Sequence, residues 1–76
     1  MSKPWTLGEY EELFRNHPPT QPTGPNGVAL AKVAKAIGRT PGAVSAQWGD
    51  ARSAVLGSAT AASTQLIGYL RRQGWL

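Results

Sequence analysis

The chain has 76 residues, a formal net charge of +4 and no cysteine. This length predicts one domain over residues 1–76, and the lack of cysteine excludes disulfides and thiolate metal sites. No apolar run approaches the roughly 18 residues of a membrane-spanning helix, and the N-terminus has no signal-peptide core. We therefore expect a cytoplasmic protein with no membrane contact, associated with the nucleoid if it binds DNA.

Charge is unevenly distributed along the chain. Residues 1–16 have a net charge of −1, from two cations against three glutamates, whereas residues 17–76 have a net charge of +5, from six cations against Asp50. A basic body behind an acidic first helix favours a polyanion such as nucleic acid as the partner. The alternative is that the charge only keeps a small protein in solution.

The first helix is predicted over residues 7–15. Thr6 and Glu9 have the spacing of a capping box, in which each side chain binds the other residue's backbone N–H. Trp5 directly precedes the cap, where an apolar residue can pack on one in the next turn, here Tyr10. The sequence therefore predicts both the start of this helix and the direction from which the chain enters it.

A proline-rich segment follows the first helix. Residues 16–27 contain four of the six prolines and two glycines, which predicts an extended loop. Two interpretations are open: the loop packs as a strap over the core, or it reaches a partner. Before the first helix, residues 1–4 are expected to form a short disordered lead.

The next two helices are predicted over residues 27–37 and 41–56. Gly38 suits the left-handed end of a helix, Thr40 suits the cap of the next helix, and Pro41 suits its first position. So short a connection predicts two helices that cross at a steep angle, as in helix-turn-helix proteins. The second helix would then project as a probe for the DNA major groove.

A fourth helix is predicted over residues 59–73, capped by Ser58 or Thr60, and Trp75 after Gly74 is expected to fold back onto it. No stretch alternates as a β-strand does. The sequence therefore predicts an all-α protein, a three-helix helix-turn-helix bundle plus a C-terminal fourth helix. Apolar residues at helical spacing form its candidate core: Tyr10, Leu13, Phe14, Leu30, Val33, Ala34, Ile37, Val44, Trp48, Ala51, Val55, Ala62, Leu66, Ile67 and Leu70.

Three segments carry a pattern found in a known class of domains. Residues 4–6 read Pro-Trp-Thr before an acidic helix, residues 33–40 read Val-Ala-Lys-Ala-Ile-Gly-Arg-Thr, and Val44 and Trp48 follow at helical spacing. Over residues 4–52 this pattern resembles the Myb/SANT-like family of helix-turn-helix domains. The resemblance implies a Myb- or homeodomain-like fold and DNA binding through the third helix.

The sequence departs from that family in three places. Leu30 stands where the family has its middle tryptophan, the first loop is longer and rich in proline, and the fourth helix lies outside the pattern. The turn over residues 38–44, Gly-Arg-Thr-Pro-Gly-Ala-Val, is also similar to helix-turn-helix segments of bacterial and phage proteins. We therefore expect a bacterial or phage variant that acts as a regulator of transcription or as an accessory factor.

The candidate contact residues divide into base and phosphate contacts. The resemblance implies that base-reading side chains lie on the exposed face of the third helix. Asp50 on this face would repel phosphate. The candidates for contacts with base edges are Gly42, Ser45, Ala46, Gln47 and Gly49. Because this face offers only Ser45 and Gln47 as hydrogen-bonding side chains for base edges, most of the affinity is expected from phosphate contacts. The candidates for those contacts are Lys32, Lys35, Arg39, Thr40, Arg52, Arg71 and Arg72.

Catalysis is not expected. His17 is the only histidine and lies among prolines, and no carboxylate is paired with a nucleophile motif. The chain has no glycine-rich phosphate cradle after a strand and no cluster of metal ligands in its sequence. The sequence therefore predicts a binding protein that is not an enzyme and uses no cofactor and no metal.

Other partners stay open beside double-stranded DNA. A protein-interaction module on the same scaffold, for example a phage protein that binds a host protein, would suit the bare face of the third helix and the apolar C-terminus. The chain is expected to be a monomer or a homodimer through the fourth helix, whose small residues permit close approach. A two-fold dimer would also suit paired DNA half-sites.

Overall fold

The computed structural model describes residues 4–58 and 60–76. Residues 1–3, which make up most of the predicted lead, and Ala59, the predicted first residue of the fourth helix, lie outside the described residues. Within the described ranges there is no β-strand, which confirms the all-α prediction. The helices are α1 (Leu7–Phe14), α2 (Gly27–Ile37), α3 (Pro41–Val55) and α4 (Thr64–Arg72).

Each helix begins at a polar cap. Around α1 the predicted capping box is present: the Thr6 N–H donates to Glu9 Oε1 at 3.0 Å, and the Glu9 N–H donates to Thr6 Oγ1 at 3.3 Å. Asn26 caps α2, Thr40 caps α3 and Ser63 caps α4, each by accepting the N–H three residues later. These contacts satisfy backbone donors that would otherwise lack partners.

The predicted start of the fourth helix was wrong. This helix begins at Thr64 and is capped by Ser63, not by Ser58 or Thr60. The Thr60 hydroxyl instead donates to the Asp50 carbonyl at 2.7 Å and accepts the Ala62 N–H at 3.2 Å. The bond to Asp50 holds Thr60 against α3, and the residues between Thr60 and Thr64 connect it to α4 without forming a helix.

Helices α1 and α3 each end one residue earlier than predicted, with Arg15 and Leu56 as C-caps.

The core is built where all four helices meet. Helices α1 and α3 each pack against both α2 and α4, whereas α2 and α4 lie at opposite corners of the bundle. Trp5 stacks on Tyr10 with ring centroids 5.5 Å apart, as its place before the cap predicts. The buried apolar residues are Tyr10, Leu13, Phe14, Ala34, Val44, Ala51, Leu66, Tyr69 and Leu70.

The C-terminus folds back onto α4, as predicted. Gly74 adopts the left-handed conformation (φ 76°), and the Trp75 N–H donates to the Leu70 carbonyl at 3.0 Å. The Trp75 ring meets Phe14 and Tyr69 edge-on, at centroid distances of 5.8 and 6.1 Å. Sequence reasoning missed Tyr69, which is buried at the centre of this aromatic cluster.

Two side chains of α3 hold the proline-rich loop. Trp48 Nε1 donates to the His17 carbonyl at 2.8 Å, and Arg52 Nη1 donates to the Pro19 carbonyl at 2.8 Å and to that of Gln21. Pro19 is fully buried. Of the two interpretations of this loop, the strap over the core is the one observed.

The loop crosses Trp48 closely at Gly24. A Cβ atom there would lie 2.8 Å from Trp48 Cζ3, which is closer than carbon atoms approach. The indole is anchored by its hydrogen bond to the loop and cannot move away without losing that bond.

Among the described residues, no helix is long and apolar enough to cross a membrane.

Substituting Gly24→Ala tests this crossing. We expect the free energy of unfolding to fall by about 1–3 kcal/mol, the usual cost of inserting a carbon into filled space. Urea unfolding followed by tryptophan fluorescence measures it. Gly27→Ala is the control, because a Cβ there meets nothing within 4 Å, and it should leave stability unchanged or slightly higher. Equal stability of the two variants would contradict the close crossing.

Candidate nucleic-acid interface

Helix α3 has one packed side and one open side. Val44 and Ala51 are fully buried against the bundle. On the opposite side the four small residues proposed as base contacts are exposed: Gly42, Ser45, Ala46 and Gly49. We call these four residues the outer face of α3.

Gln47 lies apart from the outer face. It follows Ala46, so it is turned by about 100° around the helix, and both residues border a groove with Ser63 and Gln65 at the start of α4. Its Oε1 atom is buried and has no hydrogen-bond partner among the described residues. A side chain placed there does not extend towards a groove docked on the outer face, so Gln47 is not carried forward as a base contact.

Exposed cations that form no ion pair within the described ranges lie on two helices. Lys32 and Lys35 are exposed on α2, and Arg71 and Arg72 are exposed on α4. Lys32 lines a groove with Glu12 and His17, whereas Arg72 lines a different groove with Leu7 and Tyr69. The lysine pair belongs to the helix that packs most extensively on α3. The cations therefore do not form one continuous patch.

Arg39 is occupied inside the fold. Its Nε and Nη2 atoms both donate to the carboxylate of Glu9, the second at 3.0 Å, and Nη2 also donates to the Pro4 carbonyl at 2.9 Å. Its guanidinium lies over the Trp5 ring, 4.7 Å from the centroid. The side chain is only 12% exposed. This group, which was predicted to contact phosphate, joins the start of α1 to the turn between α2 and α3.

The same contact perturbs the titration of both partners. Hydrogen bonding from Arg39 lowers the pKa of Glu9 from 4.5 to about 2, and the bond to Glu9 raises the pKa of Arg39. Sequence reasoning found one role of Glu9, its capping of the backbone, because that role involves a neighbour three residues away. Its second partner is 30 residues away in sequence and gave no local signal.

Arg52 and Thr40 also have structural roles. Arg52 holds the proline-rich loop through two carbonyls, so its predicted phosphate contact would require that anchor to open. Thr40 is exposed at the N-terminus of α3, where its oxygen accepts the Ala43 N–H at 3.1 Å. Its hydroxyl proton stays available to a phosphate oxygen. Of the seven predicted phosphate contacts, five are therefore free to meet a ligand: Lys32, Lys35, Thr40, Arg71 and Arg72.

Neither a metal site nor a relative assigns a function to this surface. No group of three or more potential metal ligands occurs among the described residues. The chain matches no protein-family model, no curated protein and no solved structure. The functional interpretation therefore depends on the geometry of α3 and the charges around it.

The Glu9–Arg39 contact makes stability depend on pH. Because the pKa of Glu9 is lower in the folded chain than its ordinary value, its ionised form stabilises the fold at neutral pH. That contribution is lost as the pH falls from about 4.5 to about 2. Glu9→Gln removes the charge but keeps an oxygen that can cap Thr6. We expect it to lower the unfolding free energy at pH 7 on the order of 1 kcal/mol.

Urea unfolding at several pH values measures this effect. The difference between Glu9→Gln and the unsubstituted chain should shrink towards zero at about pH 2. Glu12→Gln is the control, because Glu12 pairs with the exposed Arg15 at 3.2 Å, and it should show little difference at any pH. A difference for Glu9→Gln that stays constant with pH would show that charge is not its cause.

Proposed function

We propose that this chain is a small DNA-binding protein of the helix-turn-helix type that docks α3 in the major groove. The observation that carries the proposal is the open outer face of α3, set against a fully buried opposite side. An α-helix fits the width of the major groove when nothing else covers it. Three residues join α2 to α3, and these two helices pack together more extensively than any other pair.

Phosphate contacts supply most of the affinity in this proposal. Lys32 and Lys35 are exposed on α2 without an ion pair among the described residues, and α2 is the helix that packs most extensively on α3. Thr40 lies at the N-terminus of α3, where the helix dipole favours an anion. Arg39 and Arg52 are left out, because their guanidinium groups are held by the fold. Arg71 and Arg72 are left out, because α4 packs less extensively on α3 than α2 does and Arg72 lines a groove with Leu7 of α1.

Binding should tolerate many DNA sequences. Strong discrimination comes from arginine or lysine on guanine and from asparagine or glutamine on adenine. The outer face offers only Ser45 as a hydrogen-bonding side chain, and its glycines and alanine allow the helix backbone to approach the bases closely. Such a surface fits the shape of the groove and reads little of its sequence. An accessory or architectural role suits it better than recognition of one operator.

The lysine pair can be tested through the salt dependence of binding. For a duplex of about 12 base pairs, which holds one copy, log affinity should fall linearly with log salt. Replacing both lysines, by Lys32→Ala and Lys35→Ala, should reduce the steepness of that line by about 1.8, because each phosphate contact contributes about 0.9. Fluorescence anisotropy at several salt concentrations measures the slope.

A matched control separates a localised contact from general charge. Arg71→Ala with Arg72→Ala removes the same two charges from the other side of the bundle. Its slope should stay close to that of the unsubstituted chain. Equal losses in both double variants would contradict docking on the α2–α3 side, and no duplex binding at low salt would overturn the proposed function.

The outer face can be tested by adding one negative charge to it. Ser45→Glu places a carboxylate where the DNA would lie, so we expect duplex affinity to fall by more than tenfold with little change in thermal stability. Thr64→Glu adds the same charge at the exposed start of α4, where the helix dipole accepts it, and should leave affinity almost unchanged. Equal effects on binding would show that α3 is not the docking element.

A protein partner is the second candidate, and one observation favours it. The outer face of α3 has little hydrogen-bonding capacity, and Leu56 just beyond the helix is 62% exposed. An apolar, small-residue surface of this kind suits contact with another protein. The lysine variants distinguish the two functions, because an apolar protein interface would be insensitive to Lys32→Ala and Lys35→Ala.

A further inference from the structure

A second surface lies on the other side of the molecule, between α1 and α4. A shallow groove of about 220 Å³ runs between these helices, lined by Leu7, Gln65, Gly68, Tyr69 and Arg72. Leu7 stands on its rim and is 48% exposed. Gly68 forms an open part of its wall, where an added Cβ would meet nothing within 4 Å. The groove can therefore receive an apolar side chain.

The two helices that border this groove carry opposite charge. Helix α1 contributes Glu11, which is exposed and forms no ion pair among the described residues. Glu11 lies close enough to Tyr69 that, with burial, it raises the pKa of that phenol. Helix α4 contributes Arg71 and Arg72, which are also exposed and form no ion pair in the described ranges, and it carries no acidic residue. One face thus presents an acidic helix next to a basic one.

We propose that this face binds a second copy of the chain, with α1 of each copy lying along α4 of the other. In a two-fold arrangement every contact occurs twice, so a surface must be complementary to itself. An acidic helix beside a basic helix meets this condition, whereas placing α1 on α1 would bring like charges together. Charge complementarity therefore selects the second copy as the occupant of the groove.

The spacing of the residues on both helices supports one register. Leu7 and Glu11 are four residues apart on α1, and Gly68 and Arg72 are four residues apart on α4, so each pair is separated by about 6 Å along its helix. When Leu7 of one copy rests against Gly68 of the other, Glu11 comes next to the partner copy's arginine. The apolar contact and the ion pair are thus compatible.

This association is independent of DNA and leaves the outer face of α3 open. The contact uses the α1–α4 side, whereas the proposed DNA contacts use α2 and α3. A face on so small a chain falls at the low end of interface areas, below about 1,200 Å², so the dimer is weak. Two copies joined in this way present two α3 helices, and the ion pair at Arg72 replaces the phosphate contact that the sequence predicted for this residue.

Sedimentation equilibrium without DNA tests the proposal. The apparent mass should rise from 8.1 kDa towards twice that value as the concentration approaches about 1 mM at low salt. Glu11→Arg and Arg72→Glu should each weaken association at least tenfold, because each variant places like charges opposite each other twice. Both side chains are exposed and form no ion pair among the described residues, so circular dichroism should show unchanged helix content.

An equal mixture of the two variants provides the decisive measurement. In a mixed pair, the arginine introduced by Glu11→Arg faces the glutamate introduced by Arg72→Glu, and the two unsubstituted residues face each other. The mixture should therefore associate as strongly as the unsubstituted chain. An unsubstituted chain that stays monomeric at 1 mM, or a mixture that associates no better than either variant alone, would overturn the proposal. Neither result bears on the DNA-binding measurements, which use one copy on a short duplex.

Discussion

The contact between Arg39 and Glu9 joins the first turn of α1 to the corner between α2 and α3. One guanidinium binds the Glu9 carboxylate and the Pro4 carbonyl and covers the face of Trp5. The same carboxylate also accepts the Thr6 N–H in the cap of α1, so Glu9 bonds both to this cap and to Arg39. Because a bidentate arginine contact fixes direction as well as distance, it holds the corner in place. The orientation of α3, and with it any function of its outer face, depends on this contact.

A second set of contacts fixes the far end of α3. Trp48 and Arg52 bind carbonyls of the proline-rich loop, which otherwise contains no regular hydrogen-bonded structure. Prolines limit the entropy that this loop loses on ordering, so a few contacts are enough to hold it. The inner side of α3 is therefore clamped at both ends by chain segments distant in sequence. This arrangement holds α3 in place and leaves one of its sides exposed.

The sequence predicted contacts between residues that are close together in the chain, and it missed contacts between residues that are far apart in the chain. The capping box at Thr6, the left-handed Gly38 and the return of Trp75 each depend on residues fewer than six positions apart, and all were confirmed. The start of α4 was wrong because Thr60 bonds to α3 instead of capping a helix. The roles of Arg39 and Arg52 depend on partners 30 or more residues away. From the sequence alone, an arginine that faces solvent cannot be distinguished from one that binds partners distant in the chain.

This difference matters for the proposed interface. If all six cations of residues 17–76 faced DNA, the salt dependence of binding would be steep, at about 0.9 per phosphate contact. Because two arginines are held by the fold, the proposed interface has its charged contacts in the lysine pair on α2, and the proposal therefore predicts a modest affinity for one short duplex. Small side chains on α3 add close fit but little readout. If the chain binds DNA as proposed, a single copy is suited to transient contact, and several copies on one duplex would bind more tightly. The proposed association uses a face that leaves α3 free, so it would allow two copies to engage one duplex together.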